Sequence, residues 1–237
     1  MEVRLDGKVG LGSEFGHASP TTTLKNDIVT ALLTDSTVLT GINKLVVVDS
    51  AGTERDSVAV SSTDFTAISG GYQVSKQFTA TASYTATKVR AYSGTKLYFE
   101  GSLPSSVSVV SGVPYTLTFS YTVSLSVSIT TSPSTVQSIS YTIHDFIARM
   151  LKGESYDIRV SYAEYVDSAG SVIFDKALTV DSVNKTFGHA ATNFPVDATL
   201  AQIIIVCVYS SARITISISP INVTTADTIS MSFTVSA

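Results

Sequence analysis

Apolar and polar residues alternate strictly over long stretches of this chain, and a period of two places every second side chain on one face of an extended strand. The cleanest run is Tyr115-Thr-Leu117-Thr-Phe119-Ser-Tyr121-Thr-Val123-Ser-Leu125, with Tyr72-Gln-Val74-Ser-Lys-Gln-Phe78-Thr-Ala80 and Val89-Arg-Ala91 behaving alike. One buried and one solvated face is the mark of antiparallel sheets. Turn signals at Ser69-Gly70-Gly71, Ser93-Gly94, Pro104-Ser105 and Ser111-Gly112 separate the runs at the spacing of a sandwich or jelly roll. Two segments break the alternation. Ile28, Leu32 and Leu33, and later Ile143, Phe146, Ile147, Met150 and Leu151, recur at three and four and predict short amphipathic helices. Thr142-x-x-Asp145 is close to a capping box for the second helix. The longest apolar run, Ile203 to Tyr209, is far short of the roughly 20 residues of a spanning helix and predicts a buried strand.

The pattern recurs. Asn26-Asp27-Ile28-Val29 through Leu33 lies against His144-Asp145-Phe146-Ile147 through Leu151, and Val48-Asp49-Ser50-Ala51-Gly52 is repeated as Val166-Asp167-Ser168-Ala169-Gly170. The closing strands align next, Leu117, Phe119, Tyr121 and Val123 against Ile229, Met231, Phe233 and Val235. The fold class expected is all-β: two tandem antiparallel β-sandwich or jelly-roll domains from an internal duplication, each preceded by a short helix. The boundaries are an N-terminal arm over 1–22, a first sandwich over 23–129, a linker over 130–137 and a second sandwich over 138–237. The arm carries glycine at 7, 10, 12 and 16, and Val3, Leu5, Val9, Leu11 and Phe15 are its candidate assembly anchors. An isolated stretch of this kind cannot offset its ordering entropy, so it is expected to order on a neighbouring subunit.

Composition sharpens the fold class. The 237 residues include 36 serines, 31 threonines and 28 valines but no tryptophan, an excess that suits pleated strands and disfavours helices. A formal charge of -4, with Lys and Arg scattered singly, gives no basic stripe, so no nucleic-acid partner is expected. The N-terminal residues lack the order of a secretory signal, and no transmembrane segment is predicted. No catalytic, cofactor-binding or metal residue is singled out. There is no Gly-x-Ser-x-Gly elbow, His17, His144 and His189 have no metal-ligand spacing, and Cys207 stands alone in an apolar strand. Asp49 and Asp167 sit where a turn would use their carboxylates for local hydrogen bonds. The profile is that of a structural or recognition protein and not of an enzyme.

The repeated helix-then-sandwich unit and the ending Val109-Val-Ser-Gly112-x-x-Tyr115-Thr-Leu117-Thr-Phe119 are similar to modules of virion proteins. The Ser/Thr/Val-rich, Trp-free texture resembles vertex and capsid proteins of icosahedral viruses of thermophilic archaea, the turreted viruses of Sulfolobus among them. That resemblance implies a minor capsid component, a penton base or turret subunit. It would be a homo-oligomer, possibly a pentamer, located in the virion beside other capsid proteins. A phage tail or baseplate component and a carbohydrate-binding surface adhesin are the alternatives.

Overall fold

The computed structural model describes residues 1–127, 136–209 and 211–237. The alternating segments form strands, and the protein is all-β, with two α-helices among the described residues. The first half runs β1 (Glu2–Leu11), β2 (Glu14–Pro20), α1 (Thr22–Leu33), β3 (Lys44–Asp49), β4 (Glu54–Ala59), β5 (Thr66–Ile68), β6 (Gly71–Thr79), β7 (Tyr84–Ser93), β8 (Lys96–Val109) and β9 (Pro114–Ser126). The second half runs β10 (Val136–Tyr141), α2 (Ile143–Lys152), β11 (Val160–Asp167), β12 (Val172–Ala177), β13 (Thr179–Asp181), β14 (Thr186–Asn193), β15 (Ala198–Cys207), β16 (Arg213–Val223) and β17 (Thr228–Thr234). Strand-to-strand pairing is antiparallel throughout.

All nine strands of the first half share one sheet, in the order β4-β3-β7-β8-β2-β1-β9-β6-β5. The sheet curls until β4 stands beside β6, and an ion pair from Lys76 to Asp64 (2.8 Å) ties the segment after β4 to β6. The second half forms a five-stranded sheet, β10-β16-β15-β11-β12, and a three-stranded sheet, β13-β14-β17.

One hydrophobic core runs through both halves. Phe99, Phe119 and Tyr121 pack ring against ring within it, and α1 packs its buried face, Leu24, Ile28 and Leu32, against β8. The second helix crosses over: α2 lies on β9 and β6 of the first half, where the Tyr121 hydroxyl donates to the Ala148 carbonyl (2.8 Å). Backbone amides add to this seam. The Ile42 amide donates to the Leu151 carbonyl (2.9 Å), and the Ile158 amide to the buried Ser36 hydroxyl (3.0 Å). Gly41 meets Gly153 so closely that a Cβ at 41 would lie 2.4 Å from the Gly153 Cα.

Three expectations change. The capping box at Thr142 does not form, because that hydroxyl donates to the Ser211 carbonyl and the residue has helical backbone angles, not the extended ones of an N-cap. Residues 130–135 of the expected linker lie outside the described residues, and its last two, 136 and 137, begin β10. The arm over 1–22 is not an arm. Its residues fold into β1 and β2 in the middle of the nine-stranded sheet, where β1 pairs with β9 from Glu2↔Ser126 to Leu11↔Leu117 and with β2 from Gly7↔Ala18 to Leu11↔Glu14. One partner of β1 is thus β2, within the same segment, and the other is β9, more than 100 residues later.

Candidate interaction site

The five anchors expected on the arm divide between core and surface. Val3, Val9 and Leu11 are fully buried beneath the curled sheet, Leu5 packs against the same core, and Phe15 is 57% exposed. Alternation explains the division: positions 3, 5, 9 and 11 share the inward phase of β1, while Phe15 lies beyond the tight turn at Gly12 and rests its ring on Gly10, where a Cβ would be 2.5 Å away. Of the five, only Phe15 is presented to solvent as a large apolar side chain. It stands at the end of the sheet that also carries the β8–β9 turn, where Val110 and Val113 are exposed.

The carboxylates repeated by the sequence are turn formers. Asp49 accepts from the amides of Ala51 (2.9 Å) and Thr53 (2.8 Å), and Asp167 from those of Ala169 (2.9 Å) and Ser171 (2.8 Å). The glycines that follow, Gly52 and Gly170, have φ of 83° and 85°, a conformation open to glycine at little cost. In the first half Asp49 also receives Arg55 (2.6 Å), and the Thr53 amide first, then Arg55, hold its carboxyl below the usual range.

The histidines sit on separate elements. His17 in β2 lies 3.6 Å from the Asp6 carboxylate at the surface, and His144 in α2 lies 3.2 Å from Asp145 with its ring edge-on to Tyr141. His189 is in β14 and buried: its Nδ1 donates to the Ala190 carbonyl (2.7 Å) and its Nε2 accepts from the Tyr165 hydroxyl, beside Phe174 and Phe194. Among the described residues no cluster of three His, Cys, Asp or Glu side chains could hold a metal. Cys207 is buried at the end of β15, and burial pushes its thiol up to about 12.

The shifted carboxyls elsewhere are engaged in the fold. Arg90 bridges Glu100 (2.6 Å) and Glu54 (3.2 Å) across β8, β7 and β4, with Lys88 adding a second contact to Glu100 (3.1 Å). Arg90 holds the Glu100 carboxyl below the usual range. Asp64 is lowered to about 2, first by Lys76 and then by Ser61.

What remains for recognition is surface shape. A groove of about 550 Å³ runs along the seam, lined by Thr40, Asn43, Ser62, Ser93, Lys96 and Lys152. On the second half Phe146 packs edge to face with Tyr156 and with Tyr209, whose rings are tilted against each other, and Tyr209 is 42% exposed. The chain finds no match among protein-family models, curated proteins or solved structures.

The sheet edges were the residues that sequence reasoning missed. β10, Val136-Gln-Ser-Ile-Ser-Tyr141, and β17, Thr228-Ile-Ser-Met-Ser-Phe-Thr234, carry no charge and no proline. Their signal in the sequence was that lack of charge.

Proposed function

We propose that the protein is a structural subunit of a virion, a minor capsid or vertex component of the penton-base or turret type, built from a duplicated unit. In this reading it works as a homo-oligomer among other capsid proteins and carries out no chemical turnover. The observation that carries the proposal is the match between its halves. The order β4-β3-β7-β8-β2 is echoed by β12-β11-β15-β16-β10, and β9-β6-β5 by β17-β14-β13.

Register supports the duplication at the level of residues. Lys44↔Ala59 and Val48↔Glu54 correspond to Tyr162↔Ala177 and Val166↔Val172, each pair shifted by 118. Tyr72↔Tyr121 corresponds to Phe187↔Phe233, and the bond from the Val123 amide to the Gly70 carbonyl to that from Val235 to Lys185. Thr21 and Thr142 occupy like places before the helices, their amides donating to Tyr98 and Arg213.

A rigid pair of like units, joined by one core and closed by short turns, suits a shell in which each chain must present repeated surfaces to its neighbours. The charged side chains with displaced pKa values serve turns and cross-strand ladders, as in a scaffold. The test is sedimentation and cryo-electron microscopy of the purified protein and of particles that contain it. Closed rings or density at a vertex are expected, and a strict monomer absent from any particle would overturn the proposal. The exposed Tyr209 beside Tyr156 favours one second reading, a carbohydrate-binding surface, which specific glycan binding lost in Tyr209→Ala would support.

A further inference from the structure

We propose that the described residues of the second half leave an open strand position between β10 and β17, and that an extended segment of a partner chain, apolar at alternate residues, fills it. The proposal rests on the assembly reading only for the source of that partner.

The first half shows what the position takes. There β1 lies between β2 and β9 and pairs with both, so nine strands make one sheet. The corresponding strands β10 and β17 belong to different sheets, and among the described residues no strand lies between them. Among the described residues only the far end of β17 and the residues just after it are taken: the chain's terminal ammonium donates to Thr234 (2.8 Å), the Val3 amide to Ser236 (2.8 Å) and the Ser236 amide to Met1 (3.1 Å).

Burial changes at the same place. In the first half Ala18, Leu117 and Phe119 are fully covered, with Val9 and Leu11 of β1 between them. Their counterparts Ile139, Ile229 and Met231 are only partly buried, although they pack on the core. A segment with two inward aliphatic side chains would complete that cover.

The edges themselves point the same way. Exposed edge strands invite pairing, and proteins guard them with charge, proline or shortness. The other edges here are guarded: β4 carries Glu54, Arg55 and Asp56, β12 carries Asp175 and Lys176, and β5 and β13 have three residues each. β10 and β17 have six and seven residues and none of these devices. They are therefore suited to strand addition, in which backbone bonds give affinity and alternate side chains give specificity.

The test uses the full chain and a synthetic peptide with the sequence of residues 2–11, the strand that fills the like position in the first half. In the free monomer the outward amides of Val136–Tyr141 and Thr228–Phe233 should exchange quickly, and saturating peptide should slow them by roughly tenfold or more. A peptide with Asp in place of Val9 and Leu11 should not, and Met231→Glu in the chain should abolish the effect while its circular dichroism is unchanged. No protection by the peptide, equal protection by the Asp peptide, or edges already protected in the free monomer would each overturn the proposal. Peptide binding by a chain that never assembles would leave the strand position standing and remove the virion reading instead.

Discussion

Removing Leu11 should damage the protein far more than removing Phe15, although both lie in the glycine-rich N-terminal stretch. Leu11 is 0% exposed and closes β1 against Leu117 of β9, whereas Phe15 is 57% exposed. Leu11→Ala deletes buried methyl groups and leaves a cavity, which costs about 2–5 kcal/mol. Phe15→Ser removes a ring that lies mostly in solvent and should cost under about 1 kcal/mol. Deleting residues 1–11 goes further. Val3, Val9 and Leu11 each contribute about 1.5–3 kcal/mol of burial, together roughly 5–9 kcal/mol, and a domain of this kind has only about 5–15 kcal/mol in total. The truncated chain should therefore lose the first half's fold. The assay is urea unfolding followed by circular dichroism, with a shift of midpoint at unchanged slope giving the cost of each substitution. A Leu11→Ala cost no larger than that of Phe15→Ser, or a truncated chain with native circular dichroism, would refute the placement of β1 in the sheet.

Lys185 adopts φ of 55° where the first half has Gly70 at 73°, so Lys185→Gly should stabilise the second half by up to about 1 kcal/mol in the same assay. Asp64 has a folded pKa of about 2 against an ordinary 3.8; its contribution is therefore full above 3.8 and lost as pH falls toward 2. Asp64→Asn should flatten the acid limb of stability measured across that interval, and an unchanged limb would count against the Lys76 pair. With its thiol at about 12 and buried, Cys207 should resist a disulfide reagent at pH 8 in the native protein and react at once in denaturant. Tyr121→Phe removes the hydroxyl bond to Ala148 and should cost about 0.5–1.5 kcal/mol, with faster amide exchange in α2 as its local sign.

The strands, both helices and the paired Asp turns were legible because each rests on local rules: period two, period three to four, and a side chain that bonds the amides two and four residues on. The place of β1 was not. Its inward residues Val3, Leu5, Val9 and Leu11 do alternate, but the glycines between them suggested a loose arm. Their reason is close packing. A Cβ at Gly7 would lie 2.7 Å from the Ala18 carbonyl oxygen, and one at Gly16 2.0 Å from that of Ser102, so glycine is what lets β1, β2 and β8 approach. Flexibility and tight contact call for the same residue, and only the neighbouring strand tells them apart.

The sheet edges pose the same difficulty in another form. Along the chain, Thr228-Ile-Ser-Met-Ser-Phe of β17 looks like Thr116-Leu-Thr-Phe-Ser-Tyr of β9, the same alternation with the same uncharged polar partners. Yet β9 is flanked on both sides, by β1 and β6, and among the described residues β17 has one neighbouring strand in its sheet, β14, with only its far end met by the chain's first residues. An uncharged outer row is ordinary in a strand whose backbone is paired on both sides and hazardous in one whose backbone is not. Retaining that row in β10 and β17, while β4 and β12 carry charge, makes sense if the bare edges are covered when the protein is at work. Charging them is then the sharpest intervention. Ser138→Lys together with Ser230→Lys should leave the monomer's stability within about 0.5 kcal/mol, as surface changes do, and should abolish strand addition.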